Sequence, residues 1–257
     1  MSAAHGARLL AALLTLALWH TPAAGAAQSV SLQAALQPER LGSDTTIEFG
    51  FQIATARGRV PPPLTELDLS YPANIGLVTS GLGIQSCDAA TLEAHGPEGC
   101  PADALMGHGR ALVELAVGPE IITETGEITT WMGPIENGHL SLLFYANGET
   151  PVYAQPIFTG LILEAPPPYG GQLDTQIPVI GGLPGGPDAA VVRMRATIGP
   201  KDITYYKHRH GKTIAYQPRR LLLPPRCPHG GFPFAATFAF LDGTHTSAHT
   251  TVPCPTR

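Results

Sequence analysis

The sequence predicts an all-β protein, a large antiparallel β-sandwich of immunoglobulin-like style, and three observations lead to this prediction. Polar and apolar residues alternate with a period of two along several segments, as they do in strands with one buried face. Glycine and proline account for 29 and 26 of the 257 residues and separate these segments in the way that turn residues do. Long amphipathic segments and a strand–helix–strand rhythm are absent from the sequence, which disfavours helical and parallel α/β folds.

The strand predictions rest on local alternation. The strictest pattern covers residues 46–53, and similar patterns occur at residues 29–33, 67–71 and 191–198. In each of them every second side chain is apolar, so that one face of the strand can lie on a core while the other meets solvent. About a dozen such segments, spaced by turn residues, are typical of a β-sandwich.

Two dipeptides predict tight hairpins, and one short segment predicts a helix. Asn147-Gly148 and Asp242-Gly243 each lie between two runs with strand character, and both residues of such pairs adopt positive φ at low cost. Residues 88–95 are the only segment with helical character, because Asp88 or the preceding Ser86 can cap its first turn and a Gly-Pro pair ends it.

The N-terminus predicts a secretory signal peptide over residues 1–26. Arg8 supplies a positive charge, residues 9–18 form an apolar run, and small residues at 23–27 fit the small-x-small rule for cleavage. A membrane anchor is the alternative, but a helix of about ten residues spans about 15 Å, half of a hydrocarbon core of about 30 Å. We therefore expect a secreted, extracellular protein whose mature chain has no transmembrane span.

Four cysteines predict two disulfides in the exported chain. An even number of cysteines in such a protein is typical of a disulfide framework, and four of them allow three pairings. We favour Cys87–Cys100 and Cys227–Cys254, because each pair closes a short loop around a segment rich in glycine and proline. A metal site or a redox pair is the alternative, although no Cys-x-x-Cys motif occurs.

The mature chain is expected to be one β-sandwich domain over residues 27–257. Proline runs at 61–63, 166–168 and 224–225 are interpreted as connectors or edge segments, because proline cannot donate to a β-ladder. A division into two domains near residues 135–140 is the alternative, and strand patterns that continue through this region disfavour it.

Three segments carry a resemblance to a protein family. They are Cys87-x12-Cys100-Pro101, the preceding residues 62–67 (Pro-Pro-Leu-Thr-Glu-Leu), and the C-terminal residues 226–254, in which Cys-Pro is followed by a phenylalanine-rich strand. In these features the chain resembles uncharacterised secreted and surface β-proteins of high-GC Gram-positive bacteria, although Ala104 stands where the family pattern carries Ser. The family has no assigned activity, so the resemblance implies export and a β fold and contributes no catalytic residue.

Composition and motifs disfavour several function classes. Only 14% of the residues are charged and the net charge is −5, which disfavours nucleic-acid binding. The sequence contains no Gly-x-Ser-x-Gly elbow, phosphate loop, dinucleotide fingerprint, His-Glu-x-x-His motif or EF-hand loop. We therefore expect a protein that is not an enzyme and that needs no cofactor.

A basic and aromatic segment is the first candidate site. Residues 201–220 carry six basic side chains against Asp202 alone, a net charge of +5, and include every lysine of the chain. Such a segment could bind a cell-wall polymer or another envelope protein through charge and stacking. The alternative is that acidic neighbours in the fold balance these charges. The candidate binding residues are Tyr205, Tyr206, Lys207, Arg209, Lys212 and Tyr216.

Four histidines are the second candidate site. His208 and His210 are two residues apart and His245 and His249 are four apart, so each pair shares one face if its segment is a strand. Neighbouring strands would let the four imidazoles bind Zn or Cu. The alternative is that they are polar residues on exposed strand faces.

Two functions are therefore expected from the sequence. The first is an exported, non-catalytic interaction or structural module of the envelope or extracellular space. The alternative is a metal-binding protein or metal-dependent enzyme that uses the four histidines.

Overall fold

A computed structural model describes residues 28–55, 59–77, 85–149, 153–182, 186–199, 201–217 and 221–255. The predicted signal peptide over residues 1–26 lies outside these described residues. Within them, no helix has the length and apolar character that crossing a membrane requires.

The described residues form fifteen strands and one short helix. The strands are β1 (Ser29–Gln37), β2 (Asp44–Ala54), β3 (Leu64–Pro72), β4 (Gly76–Leu77), β5 (Leu105–Val117), β6 (Glu120–Met132), β7 (Leu140–Asn147), β8 (Ile157–Leu163), β9 (Tyr169–Gln176), β10 (Ala190–Ile198), β11 (Tyr205–Arg209), β12 (Lys212–Tyr216), β13 (Leu221–Leu222), β14 (Phe232–Phe240) and β15 (His245–Val252). The helix α1 (Ala89–His95) is followed by two 3-10 turns, Gly96–Gly99 and Ala102–Ala104.

The predicted all-β class and the short helix are confirmed. Every described ladder is antiparallel. Helix α1 begins where predicted, because the Asp88 carboxylate accepts a hydrogen bond from the Thr91 N–H at 2.7 Å and so caps the first turn. Gly96 at φ 64 ends the helix.

One curved sheet takes the place of the predicted two-sheet sandwich. Its strands follow the order β15-β14-β3-β9-β8-β7-β6-β5-β10-β2, and β1 pairs with β2. Strand β1 also lies beside β15, where the Thr244 hydroxyl contacts Gln28 Oε1 at 3.1 Å. The sheet thus returns to its first strand and is a nearly closed barrel.

Register shifts help to curve the sheet into this shape. They occur in four ladders, at Val191/Arg193, Leu105/Gly107, Ala239/Phe240 and Tyr71/Pro72. A β-bulge bends its strand and increases the local twist, so irregularities spread around the sheet favour closure over a flat sandwich layer.

The main core lies inside the barrel. Alternate residues of β14 point inward, so that Phe234 and Phe238 are fully buried while Thr237 between them is exposed. Strand β2 contributes Phe49 and Phe51 in the same way. Each large buried side chain contributes about 1.5–3 kcal/mol through removal of apolar surface from water.

A second, smaller core lies on the outside of the barrel. Helix α1 places Leu92 against Trp131, Leu143 and Tyr145, which point outward from β6 and β7. Strand β7 is therefore covered on both faces, and this explains why its sequence is a continuous apolar run instead of an alternation.

The two predicted disulfides are confirmed. Cys87–Cys100 joins the start of the α1 region to the segment that leads into β5, with Cα atoms 5.3 Å apart. Cys227–Cys254 joins the chain before β14 to the chain after β15, with Cα atoms 5.9 Å apart. Two disulfides and no free described cysteine indicate an oxidising, extracellular environment.

Of the two predicted tight turns, one forms and one does not. At Asp242-Gly243 the chain turns between β14 and β15, over the four residues 241–244, and the Gly243 N–H donates to Phe240 O at 2.9 Å. Positive φ is adopted at Gly243, at φ 79, and not at Asp242 as predicted. Asn147-Gly148 is not a turn, because β7 extends through Asn147 and Gly148 pairs with Ala154. Strands β7 and β8 are still antiparallel partners.

Candidate functional site

An apolar cavity of about 110 Å³ lies inside the barrel. Strands β2, β3 and β5 to β10 contribute to its wall. The wall is apolar because it consists of inward-facing positions of these strands and of apolar residues between strands, such as Pro156, Pro178 and Ile180. Large side chains on it include Phe49, Phe51, Ile128, Phe144, Leu173 and Met194.

A second apolar cavity of about 60 Å³ lies next to the first. Phe49 and Leu173 line both cavities and so separate them. The second wall includes Tyr71, Ile75 and Phe234, and burial raises the pKa of the Tyr71 hydroxyl above its usual range. The barrel interior thus contains two adjacent apolar cavities that a few side chains separate.

Small inward-facing residues account for the empty space. Ala111 and Ala196 line the larger cavity and leave space that a longer side chain would occupy. Protein interiors are normally close-packed, so the space that these small residues leave unfilled accounts for the cavity.

Only two polar side chains belong to the described wall of the larger cavity. Glu124 on β6 is half-buried, and its carboxylate lies beside Gly148. Thr175 on β9 is 3% exposed, and its hydroxyl has no hydrogen-bond partner. The sequence alone does not reveal this site, because its residues are spread over eight strands and their connections, and each one resembles an ordinary core position.

The structure brings most of the predicted basic and aromatic residues together on one face of a hairpin. Strands β11 and β12 form a separate two-stranded sheet. Its register places Lys207 opposite Ile214 and Arg209 opposite Lys212, so the three cations share a face. Lys207 Nζ lies 4.8 Å from the centroid of the Tyr216 ring on that face.

Two of the predicted binding tyrosines, Tyr205 and Tyr206, do not form part of the exposed surface around the three cations. Tyr205 is 1% exposed, its hydroxyl donates to Leu105 O at 2.9 Å, and its ring meets that of Tyr216 edge-on at 5.8 Å. It therefore fastens the hairpin to the start of β5. Tyr206 is 60% exposed and lies on the opposite face of the hairpin from the cations.

A broad groove of about 880 Å³ on the outer face carries charges of both signs, from Glu48, Glu127 and three arginines. It crosses β1, β2, β10, β5 and β6 and is lined by Arg193 and Arg195, both exposed. Within the described residues neither of these arginines forms an ion pair, whereas Lys201 is paired with Glu48 at 2.6 Å. Acidic neighbours therefore balance part of the basic surface and leave the rest available.

The structure does not bring the four predicted metal-ligating histidines together. His208 lies on β11, where its Nδ1 is 3.0 Å from the Thr213 hydroxyl, and His210 lies in the adjoining turn at φ 50. His245 and His249 lie on β15, which pairs with β14 and not with β11. Among the described residues, one group of three or more potential ligands has its ligand atoms close together, and it contains no histidine.

That group consists of the carboxylates of Glu66, Asp68 and Asp174, whose oxygens lie within 4.8 Å of one another. The register of β3 and β9 places Asp68 directly opposite Asp174 on the outer face. Burial, and then the charges of Asp174 and Glu66, raise the pKa of Asp68 above its usual range. Carboxylate oxygens are the ligands that Ca²⁺ and Mg²⁺ prefer, so these three residues are the ones that could hold a hard cation.

We expect Asp68→Asn to stabilise the protein at neutral pH. The folded state binds the Asp68 proton more tightly than the unfolded chain, so this group favours folding below the usual carboxyl pKa of about 4 and destabilises the fold as pH rises through the raised pKa. The amide removes the repulsion and flattens this part of the pH dependence. Denaturant unfolding at pH 4 and pH 7 measures both effects. The control is Glu120→Gln at an exposed carboxyl, and an equal gain from it would contradict the assignment.

Comparison with known proteins gives no match to this chain among protein-family models, curated proteins or solved structures.

Proposed function

We propose that the protein is an exported, non-catalytic binding protein that holds a small apolar ligand inside its β-barrel, in the cell envelope or the extracellular space. The apolar cavity of about 110 Å³ in the barrel interior is the observation that carries this proposal. Interiors of small barrels are either filled by side chains or hold one small ligand, and this interior is incompletely filled.

The energetic cost of the cavity supports a ligand. Residual cavities in protein cores cost about 24 cal/mol per Å³, so a void of about 110 Å³ corresponds to about 2–3 kcal/mol. An apolar ligand would recover the missing dispersion contacts and remove its own apolar surface from water. Filling the cavity would thus remove its cost to stability, and this free energy would favour ligand binding.

The dimensions of the interior limit the size of the ligand. An apolar cavity of about 150 Å³ stays dry and accepts benzene, and the two cavities here measure about 110 and 60 Å³. A single small ring or a short aliphatic chain fits this space. A longer chain requires the side chains of Phe49 and Leu173, which separate the cavities, to move aside.

The composition of the wall also supports binding. Apart from Glu124 and Thr175, the described wall of the larger cavity is apolar, as in sites that bind small apolar ligands. The two disulfides and the predicted signal peptide support an exported location.

Toluene is a suitable probe for this site. At about ten times its Kd, toluene is expected to raise the free energy of unfolding of the mature, oxidised protein by about 1.4 kcal/mol. Ala111→Phe places a ring in the cavity and is expected to abolish this gain. Denaturant unfolding with and without toluene measures the effect.

Thr123→Phe is the matched control, because Thr123 lies on the exposed outer face of β6 while Ala111 faces the interior. It is expected to keep the full effect of toluene. Equal stabilisation of the Ala111→Phe variant, or none in the wild type, would contradict interior binding.

A second function is favoured by the basic face of the β11–β12 hairpin, and we propose that this face binds an anionic polymer of the cell wall. The three cations Lys207, Arg209 and Lys212 are exposed and share a face with the Tyr216 ring. Exposed charges bind a polyanion through interactions that salt screens, so the affinity should fall steeply with ionic strength.

The corresponding triple variant, Lys207→Ala, Arg209→Ala and Lys212→Ala, is expected to bind purified sacculi about tenfold more weakly at low salt. This follows from about 0.5 kcal/mol for each exposed contact. Co-sedimentation across a salt series provides the measurement. The control removes the same charge elsewhere on the surface, at the exposed residues Arg40, Arg59 and Arg226. Equal binding by the two triple variants would show that net charge alone matters and that the hairpin face is not the site.

A further inference from the structure

A row of residues on the outer face of the sheet crosses five neighbouring strands. The register of the ladders places each residue of the row directly opposite the next, in the order Gln33, Gly50, Arg195, Arg110 and Glu127, on β1, β2, β10, β5 and β6. Neighbouring strands lie about 4.8 Å apart, so the row is about 19 Å long. All five residues line the broad groove on this face.

Three arginines are neighbours in the middle of this groove. Arg195 lies directly opposite Arg110, and like charges in that position repel each other. On its other side Arg195 faces Gly50, and its stem lies over this glycine, because a Cβ there would be 3.0 Å from Arg195 Cγ. Arg193 is two residues earlier on β10, on the same face. Such a group of like charges lowers stability unless an anion offsets the repulsion.

The carboxylates of the groove are bound by other cations. Glu127 is 2.9 Å from Arg110 Nε, and Glu48 is 2.6 Å from Lys201 Nζ. Within the part of the chain that the structure describes, Arg193 and Arg195 form no ion pair, and both are exposed. Because each carboxylate is matched by one cation, these two guanidinium groups leave the groove with an excess of two positive charges.

We propose that this groove binds a phosphate group, as free phosphate or as a phosphate monoester, and that Arg193 and Arg195 donate hydrogen bonds to its oxygens. The guanidinium fork fits phosphate oxygens. Two side chains that are about 6.7 Å apart along one strand face can converge on a single group. A phosphate monoester carries about −1.5 to −2 charges at pH 7, which offsets the excess charge, whereas a carboxylate would leave one arginine unmatched. This inference depends neither on a ligand inside the barrel nor on the basic face of the β11–β12 hairpin.

Neutral polar side chains lie on both sides of the arginines. Gln33 on β1 and Thr125 on β6 are both exposed and line the groove. An amide and a hydroxyl can each donate to or accept from the hydroxyl groups of a sugar. Glucose 1-phosphate is therefore a suitable probe, because it carries a phosphate monoester and neutral hydroxyl groups in one small molecule.

Titration of the backbone amide resonances of the mature, oxidised protein tests the site. Glucose 1-phosphate and inorganic phosphate are each expected to give saturable shifts at residues 108–112 and 193–197, which line the groove. Glucose, and sodium chloride at matched ionic strength, are expected to give none. A lower Kd for the ester than for inorganic phosphate would identify a phosphorylated sugar as the better ligand, and equal Kd values would show that the phosphate group alone is recognised.

Substitutions of the two arginines are expected to weaken this binding. Arg193→Gln and Arg195→Gln should each raise the Kd of inorganic phosphate about fivefold, because each removes one charged donor group. Arg195→Lys keeps the charge and loses the planar fork, so its Kd should lie between those of the wild type and Arg195→Gln. The matched control is Arg226→Gln, which removes the same charge at an exposed position outside the groove and should retain the wild-type Kd.

Three results would overturn the proposal. The first is an absence of saturable shifts with phosphate beyond those that chloride causes. The second is equal weakening by Arg226→Gln and Arg195→Gln, which would show that net charge alone matters. The third is loss of phosphate binding in the hairpin triple variant at Lys207, Arg209 and Lys212 together with retention in Arg195→Gln, which would place the phosphate on the hairpin.

Discussion

Replacing Phe238 by alanine is expected to lower the free energy of unfolding by about 3–5 kcal/mol, which is the range for deleting a large aromatic side chain from a core. Phe238 is fully buried, and its ring meets Phe51 edge-on with centroids 5.1 Å apart. Strands β14 and β2, which carry these residues, are not hydrogen-bonded to each other. The aromatic contact therefore joins the two ends of the sheet from inside, where β1 and β15 have no ladder between them.

Phe158→Ala is the matched control for this prediction. The Phe158 ring stacks on Phe144 with centroids 5.1 Å apart, but the residue is half-buried and already borders the cavity. Because Phe158 buries less apolar surface, its loss is expected to cost clearly less than the loss of Phe238. Urea unfolding of both variants gives the comparison, and equal losses would contradict a special role for the contact across the seam.

Removing the Cys227–Cys254 disulfide has the second large effect. The sequence separation of 27 residues corresponds to a loss of about 3.5 kcal/mol in the chain-entropy model. The bond joins the segment before β14 to the segment after β15, so the double variant Cys227→Ala, Cys254→Ala also frees the segment that follows β15. Denaturant unfolding of this variant against the wild type measures the loss, and a change below about 1 kcal/mol would contradict it.

The two disulfides should also differ in their resistance to reduction. Cys254 is exposed, whereas Cys87 and Cys100 are both buried beneath helix α1. Because reduction requires access to a sulfur atom, a mild thiol reductant is expected to open Cys227–Cys254 first. Alkylation of the freed cysteines followed by peptide mass mapping gives the order, and earlier labelling of Cys87 and Cys100 would contradict it.

The elements of the fold could be predicted from the sequence because their signals are local. Residues 46–53 alternate because β2 has one buried face, and Asp88 marks the start of the helix because an acidic cap accepts backbone hydrogen bonds. Both disulfides close short loops, so proximity along the chain was sufficient. The turn predicted at Asn147-Gly148 was wrong, because a dipeptide that favours turns can also lie within a paired segment, as Gly148 does opposite Ala154.

The closure of the sheet could not be predicted in this way. Alternation with a period of two is the same for two facing sheets and for one sheet that closes on itself. The two architectures differ in whether β1 and β15, which are far apart along the sequence, lie side by side. No local pattern records that contact, and the register shifts that curve the strands leave no clear mark in composition.

The candidate sites, too, could be predicted from the sequence only where their signals are local. The basic hairpin was found because Lys207, Arg209 and Lys212 are close together in sequence, but the sequence did not separate the buried Tyr205 from the exposed Tyr206. Whether the two histidine pairs lie together depends on which strands are neighbours, and the sequence alone does not show this. The arginines of the outer groove also carry no local signal, since Arg110 and Arg195 are far apart in sequence and meet only through the pairing of β5 with β10.

The measurement that tests the apolar interior most directly is a crystal structure of the mature protein under xenon pressure, because xenon enters dry apolar cavities. We expect xenon density inside the barrel, against Phe144, Leu173 and Met194, and none at that position in the Ala111→Phe variant. A wild-type interior filled by its own side chains, with xenon absent from the barrel, would contradict the proposed ligand site.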